Sequence, residues 1–206
     1  LNRPYADNRR FLTLVLACVT FTGALLSSQS CSGQKPGSSW KPDPKSLVLL
    51  APEVRLADYS IKPPKGYKYD TAHRGPATMH AWTGQSAEKG ITPTFLIVTI
   101  PLSEKDKIKR PEQQLAQVMA GIKNSQVSRT KNWKTTPVES GNVNGIRMVR
   151  VRFSAVTIAE NRKTTGFCYV CIVGSNGFIF STQDLEVDGA QRLKATEASV
   201  LTFRKL

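Results

Sequence analysis

The sequence predicts an α+β fold, an α/β/α sandwich in which a mostly antiparallel sheet is covered by a central and a C-terminal helix. Three observations carry that expectation. TFLIVTI, Thr94 to Ile100, is β-branched and apolar on both faces, as a strand near the centre of a covered sheet has to be. Behind Pro111, which suits the first turn of a helix, Leu115, Val118, Met119 and Ile122 recur at i, i+3, i+4 and i+7. Four strand-like runs then follow closely, and a second helical pattern begins near Asp188 with Leu193, Val200 and Leu201 as its apolar contacts.

Taken in order, DYSIKPPKGY (Asp58 to Tyr67) reads as a short strand with Tyr59 and Ile61 on one face, stopped by Pro63 and Pro64 and turned at Lys65 and Gly66. Met79 to Thr83 and Pro93 to Ile100 are the next strands, the latter ended by Pro101. After the central helix come Asn132 to Val138, Ile146 to Val156, Gly166 to Val173 and Phe178 to Gln183. Tight turns join them: NVNG before the second, a loop around Glu160 to Thr165 after it, and GSNG, whose Asn-Gly pair favours a two-residue hairpin. In Ile146 to Val156 the alternation puts Val149, Val151, Phe153 and Ala155 on one face and Arg150, Arg152 and Ser154 on the other. No internal repeat is visible.

The N-terminal stretch reads as an export signal. Arg9 and Arg10 precede Phe11 to Leu26, 16 residues without a charge, whereas a bilayer-spanning helix needs roughly 20 apolar residues. Ser27, Ser28 and Ser30 lead directly to Cys31 and resemble the lipobox of bacterial lipoproteins, in which the cysteine is lipidated and becomes the N-terminus. Ser28 stands where that motif usually has leucine, and Gln29 where it has a small residue. Ordinary signal-peptidase cleavage with secretion, and an uncleaved anchor, therefore stay open beside lipidation. Residues 1–30 are assigned as the signal and 31–45 as a flexible tether. SGQKPGSSWKPDPK, rich in Gly, Ser and Pro, gives little apolar surface to bury. Such a tether would hold a single domain, 46–206, on the order of 20 Å from its anchor.

The formal net charge is +14, and only Arg3, Asp7, Arg9 and Arg10 are charged ahead of Cys31, so the basicity belongs to the folded part. A basic exported domain meets phospholipid headgroups, envelope polymers and acidic proteins rather than nucleic acid. Of four cysteines, Cys18 lies in the signal and Cys31 at the lipidation position, leaving Cys168 and Cys171. Their spacing within a strand puts the two Cα atoms about 10 Å apart on opposite faces, beyond the roughly 7 Å limit of a disulfide. They are expected as two independently packed thiols.

The order of elements resembles the PsbP-like family, which is named after an extrinsic subunit of photosystem II and includes bacterial lipoproteins. The likeness rests on the aromatic, apolar, Pro-x-Gly-aromatic phrase at Tyr59 to Tyr67, the central helix before the run of strands, and the closing helix that ends in Leu201, Thr202, Phe203 and Arg204. It covers nearly all of Asp58 to Leu206. The resemblance implies an α/β/α sandwich, a lipoprotein-type member, and an action through binding or assisting other proteins. It supplies no catalytic residue to carry over.

Chemistry-bearing motifs are few. His73 and His80 lie in no metal-ligand pattern, and no nucleophile elbow, P-loop or dinucleotide fingerprint occurs. Glu139 and Asp184 are isolated carboxylates that read as turn or cap residues, and Trp82 and Trp133 as core or rim residues. No cofactor and no metal is expected. The candidate anion- or partner-binding residues are Arg150 and Arg152, two apart on one strand face, and the loop cations Lys105, Lys107, Lys109 and Arg110. The expected function is that of an extracytoplasmic, membrane-anchored binding or assembly protein, joined to the membrane through Cys31 and to an envelope protein partner. The alternative is a small-ligand-binding domain or hydrolase with a pocket between sheet and central helix, converging on His80, Asp184 or Arg150.

Overall fold

The computed structural model describes residues 38–85, 92–104, 110–187 and 189–206. The signal region, Cys31 and the loop cations Lys105, Lys107 and Lys109 lie outside the described residues.

A sheet of nine strands forms the central layer. Its strands are β1 (Ser38–Ser39), β4 (Lys68–Arg74), β5 (Ala77–Thr83), β6 (Thr94–Pro101), β7 (Thr130–Thr135), β8 (Glu139–Val143), β9 (Ile146–Thr157), β10 (Lys163–Val173) and β11 (Asn176–Leu185). The order is β1-β8-β9-β10-β11-β6-β5-β4, and β7 pairs with the second half of β9 while β8 pairs with the first. All pairings are antiparallel except β1 on β8. Helix α1 (Pro44–Leu47) is a single turn, α2 (Pro111–Gln126) is the central helix and α3 (Ala190–Val200) the C-terminal one. A small sheet, β12 (Arg204–Lys205), β3 (Tyr59–Ile61) and β2 (Val54–Leu56), completes the α3 side. The fold is therefore α+β, with the sheet sandwiched as its sequence predicts.

Strand periodicity sorts the core into two layers. Leu96, Val98, Val149, Val151, Cys168, Val170 and Ile179 pack with Leu115 and Ile122 of α2, and Val118 and Met119 lie partly buried against them. On the other face Phe95, Ile97, Phe167, Tyr169, Cys171, Phe178 and Phe180 pack with Val200, Leu201 and Phe203. Each fully buried side chain of this size contributes roughly 1.5–3 kcal/mol. Cys168 and Cys171 are free, buried and assigned to opposite layers. No helix among the described residues is long and apolar enough to cross a membrane.

Four expectations need correction. The tether ends sooner than its composition implies: Ser38 and Ser39 add a parallel edge strand to Gly141 and Asn142, and Asp43 caps α1 by accepting the N–H of Lys45 at 3.0 Å. Trp40 supplies the packing that overrides the weak propensity of its neighbours. Glu139 is not a turn residue but opens β8, a strand masked in the sequence by Gly141 and Asn142. That strand is folded onto β9 by Asn144 and Gly145, both at positive φ as a type I′ turn requires. Asp184 lies inside β11 and is 1% exposed, not beyond the strand in a turn. The β10–β11 hairpin has a two-residue loop, but the loop is Gly174–Ser175, since Val173 pairs with Asn176 and only Gly174 has positive φ. Strand β4 gave no signal because all its side chains except Ala72 are exposed, so no apolar alternation marks it.

Candidate functional site

Strand register alone lines up the site. Arg150 of β9 lies opposite Glu139 of β8 and Tyr169 of β10, so three polar side chains share one row on the α3 face. The Arg150 guanidinium donates to Oε2 of Glu139 from Nε at 3.0 Å and Nη2 at 2.7 Å, and from Nη1 to the Tyr169 hydroxyl at 3.0 Å. Glu197 of α3 reaches down onto this row: its Oε1 accepts from Arg150 Nη1 at 3.3 Å, Arg152 Nη2 at 2.6 Å and the Tyr169 hydroxyl at 2.8 Å. Burial, then the charge of Glu197, hold the Tyr169 phenol well above its ordinary value against the opposing pull of Arg150, so it serves as a neutral donor.

Trp40 closes the row from above. Its ring lies 4.3 Å from Arg150 Cζ and meets Tyr169 edge-on at 5.7 Å. Gly141 makes room for it, because a Cβ there would fall 2.3 Å from Trp40 Cε2. The outcome is graded: the Arg150 side chain is 19% exposed, whereas that of Arg152 is 48% exposed. Arg152 is thus the guanidinium an external anion can reach, and Arg150 the one that holds the carboxylates in place. Arg147, on the opposite phase of β9, pairs with Glu112 of α2.

Arg110 and Asp184 do not join this cluster. Arg110 is the N-cap of α2, its backbone N–H donating to Gln113 Oε1 at 3.3 Å. Asp184 accepts two bonds from Arg192, at 2.6 and 2.9 Å, and the N–H of Leu185 at 2.8 Å. Gly189 permits that approach, since a Cβ there would lie 2.3 Å from Asp184 Cγ. Beside this pair the Tyr67 hydroxyl is buried without a hydrogen-bond partner among the described residues, and burial, then Asp184, push its pKa up to about 12.

His80 and Arg150 sit on the same cross-sheet row, with Ile97, Phe180 and Tyr169 between them. Four inter-strand steps separate them by about 19 Å, so they do not converge on one pocket. The imidazole is 2.7 Å from the Tyr69 hydroxyl through Nδ1, and burial, then His73, lower its pKa. No group of three or more His, Cys, Asp or Glu side chains is placed to hold a metal among the described residues.

A second polar set was not legible in the sequence. Between α2 and the sheet, Gln126 Nε2 donates to Gln183 Oε1 at 2.7 Å, and Gln183 Nε2 donates to Thr164 Oγ1 at 3.0 Å. Gln126 is 7% exposed, and its Oε1 has no partner among the described residues. A glutamine on an otherwise apolar helix face is the only sequence signal this set leaves.

No family model matches the chain, and no curated protein matches it significantly. Solved structures do. Cyanobacterial PsbP (CyanoP) from Synechocystis sp. PCC 6803 is 12% identical with a TM-score of 0.51, over 86% of this chain and 98% of that one. LpqN of Mycobacterium tuberculosis, involved in cell envelope biogenesis, is 11% identical with a TM-score of 0.47, over 69% and 79%. A Pseudomonas aeruginosa protein of unknown function, PA94, is 12% identical with a TM-score of 0.42, over 74% and 94%. The likeness to cyanobacterial PsbP shows a PsbP-like fold.

Proposed function

We propose that this chain is a noncatalytic binding or assembly protein of lipoprotein type, moored to the extracytoplasmic face of the membrane through Cys31 and engaging an anionic protein or membrane surface. The observation that carries the reading is the gradation between Arg150 and Arg152. One guanidinium is locked under Trp40 between two carboxylates, and its neighbour is 48% exposed on the same strand face. A held, half-exposed guanidinium recognises a carboxylate or phosphate with little further ordering cost. Arg110 and the loop cations Lys105, Lys107 and Lys109 add to the basic surface in this proposal, and the exported location excludes nucleic acid as the partner.

The test has two arms. Intact mass of the mature chain, with and without Cys31→Ala, reports cleavage and acylation; a bare thiol with the leader still attached refutes the mooring. Salt-sensitive capture of envelope proteins is compared between the native chain and Arg152→Ala. Loss of a captured partner in the variant supports the face, and an unchanged set of partners refutes it.

A second reading, a small-ligand site between the sheet and α2, is favoured by the unpartnered Oε1 of Gln126. A hydroxyl or amide donor on a ligand would satisfy it. Native mass spectrometry of the chain from its host should then show a bound small molecule that Gln126→Leu releases; identical, ligand-free spectra of both chains refute it.

A further inference from the structure

We infer that the end of the sheet carrying Val127, Ile158 and Val187 is the face that seats in the headgroup layer of an anionic bilayer. The inference rests on the lipid-anchored reading above and assigns it an orientation.

These three side chains are 72%, 51% and 80% exposed. Exposed aliphatics scattered singly are ordinary, but three on adjoining loops form a patch. The loops are held side by side. Ile158 N–H donates to the carbonyl of Arg129 and Thr157 N–H to that of Arg162, each at 2.8 Å, while Glu186 N–H donates to that of Lys163 at 3.0 Å. All belong to one end of the sheet, where β9 and β11 finish and β7 and β10 begin. On the described segments that carry or adjoin these loops are Lys123, Arg129, Lys131, Arg162 and Lys163, against Glu160 and Glu186. Glu186 is already engaged by Lys163 at 3.7 Å. Aliphatic tips within a cationic rim are the chemistry of an anionic lipid surface. At the other end of the sheet lie the turns before β9 and β11, with Asn144, Gly145, Gly174 and Ser175, and the N-cap of α2, Arg110.

The path of the chain gives an independent indication. β1 runs parallel to β8, with Ser38 opposite Gly141, and β8 is antiparallel to β9, with Gly141 opposite Met148. Followed backwards from Ser39, the strand direction at Ser38 therefore points along β9 toward Thr157. From the level of Met148 to that of Thr157 is about 30 Å, and the steps from Cys31 to Ser38 span at most about 24 Å. The direction of the chain at Ser38 thus favours this end for a leaflet that holds a lipidated Cys31.

Hydrogen exchange of the intact chain reconstituted on vesicles tests the face. With phosphatidylglycerol mixed into phosphatidylcholine, residues 127–131, 158–163 and 186–187 should exchange more slowly than in the free chain, and the 174–176 turn should not change. Phosphatidylcholine alone should protect less. A Val127→Asp, Ile158→Asp, Val187→Asp chain with an unchanged melting temperature should lose the protection, its face partitioning about tenfold more weakly. Unprotected loops, or loops equally protected in the triple variant, overturn the inference. If slow exchange appears around Arg152 instead, the anionic-surface reading stands and only this face is wrong; if no segment responds on any vesicle, the membrane-surface form of both fails.

Discussion

The ring of Trp40 lies 4.3 Å from the guanidinium carbon of Arg150, pinning the end of the N-terminal segment over the most connected side chain of the sheet face. Arg150 is thereby enclosed by Trp40 above, Tyr169 beside it and the carboxylates of Glu139 and Glu197 at its rim. A cation in that setting is stabilised only while its partners stay in place.

Gly141→Ala should unseat Trp40. The added methyl would fall within 2.3 to 2.7 Å of three indole atoms, closer than any real contact. Overpacking of this kind costs about 1–3 kcal/mol. A lower melting temperature together with stronger acrylamide quenching of tryptophan fluorescence is expected, and identical values for both proteins would contradict the role given to Trp40.

Arg150→Ala and Arg152→Ala should differ sharply. Removing Arg150 takes away the arginine of the half-exposed Glu139, leaves Glu197 with only Arg152 and Tyr169 of its three donors and deprives Trp40 of its cation, a loss of about 2–3 kcal/mol. Arg152, half exposed and making one ion pair, should cost at most about 1 kcal/mol. Urea unfolding midpoints read the difference, and equal losses would show that the two arginines are equivalent.

Asp184→Asn should rank among the most damaging single-atom changes. The carboxylate is buried and grips Arg192 with both oxygens, so breaking the pair should cost about 3 kcal/mol. Lys163→Ala removes a 3.7 Å pair whose side chains are 74% and 45% exposed, worth less than about 0.5 kcal/mol. Comparable melting temperatures for the two variants would refute this ordering.

Stability should fall on the alkaline side. Burial pushes the Cys168 and Cys171 thiols far up, whereas in the unfolded chain a thiol ionises near pH 8.5. Their contribution is complete below that value and is lost as pH rises from it toward the folded pKa, because only the unfolded chain then releases the protons. Each thiol adds a slope of about 1.4 kcal/mol per pH unit, and the buried Tyr67 and Tyr169 add further loss at still higher pH. Between pH 8 and 10 the unfolding free energy of Cys168→Ala, Cys171→Ala should decline less steeply than that of the native chain. Parallel declines would mean that these thiols are not protonated in the fold.

Legibility in the sequence followed distance along the chain. Alternation along β9 separates Arg150 and Arg152 from Val149 and Val151, and a three-residue offset puts Cys168 and Cys171 on opposite layers; both are local consequences of the strand repeat. The central helix likewise announces itself through Leu115 and Ile122. Glu139 escaped this reading because its partner is reached through a turn set by Asn144 and Gly145. Glycines and polar residues in β8 leave no apolar pattern behind.

By itself, then, the sequence determined the layer arrangement, the inward and outward faces of the long strands and the basic character of the domain, since each follows from periodicity or composition. Only the tertiary structure decided that Trp40 rests on Gly141, that Glu197 joins Arg150 from 47 residues away, and that Asp184 is consumed by Arg192. Those contacts depend on strand register and on how α3 settles on the sheet, and register is an agreement between distant segments that no local pattern encodes.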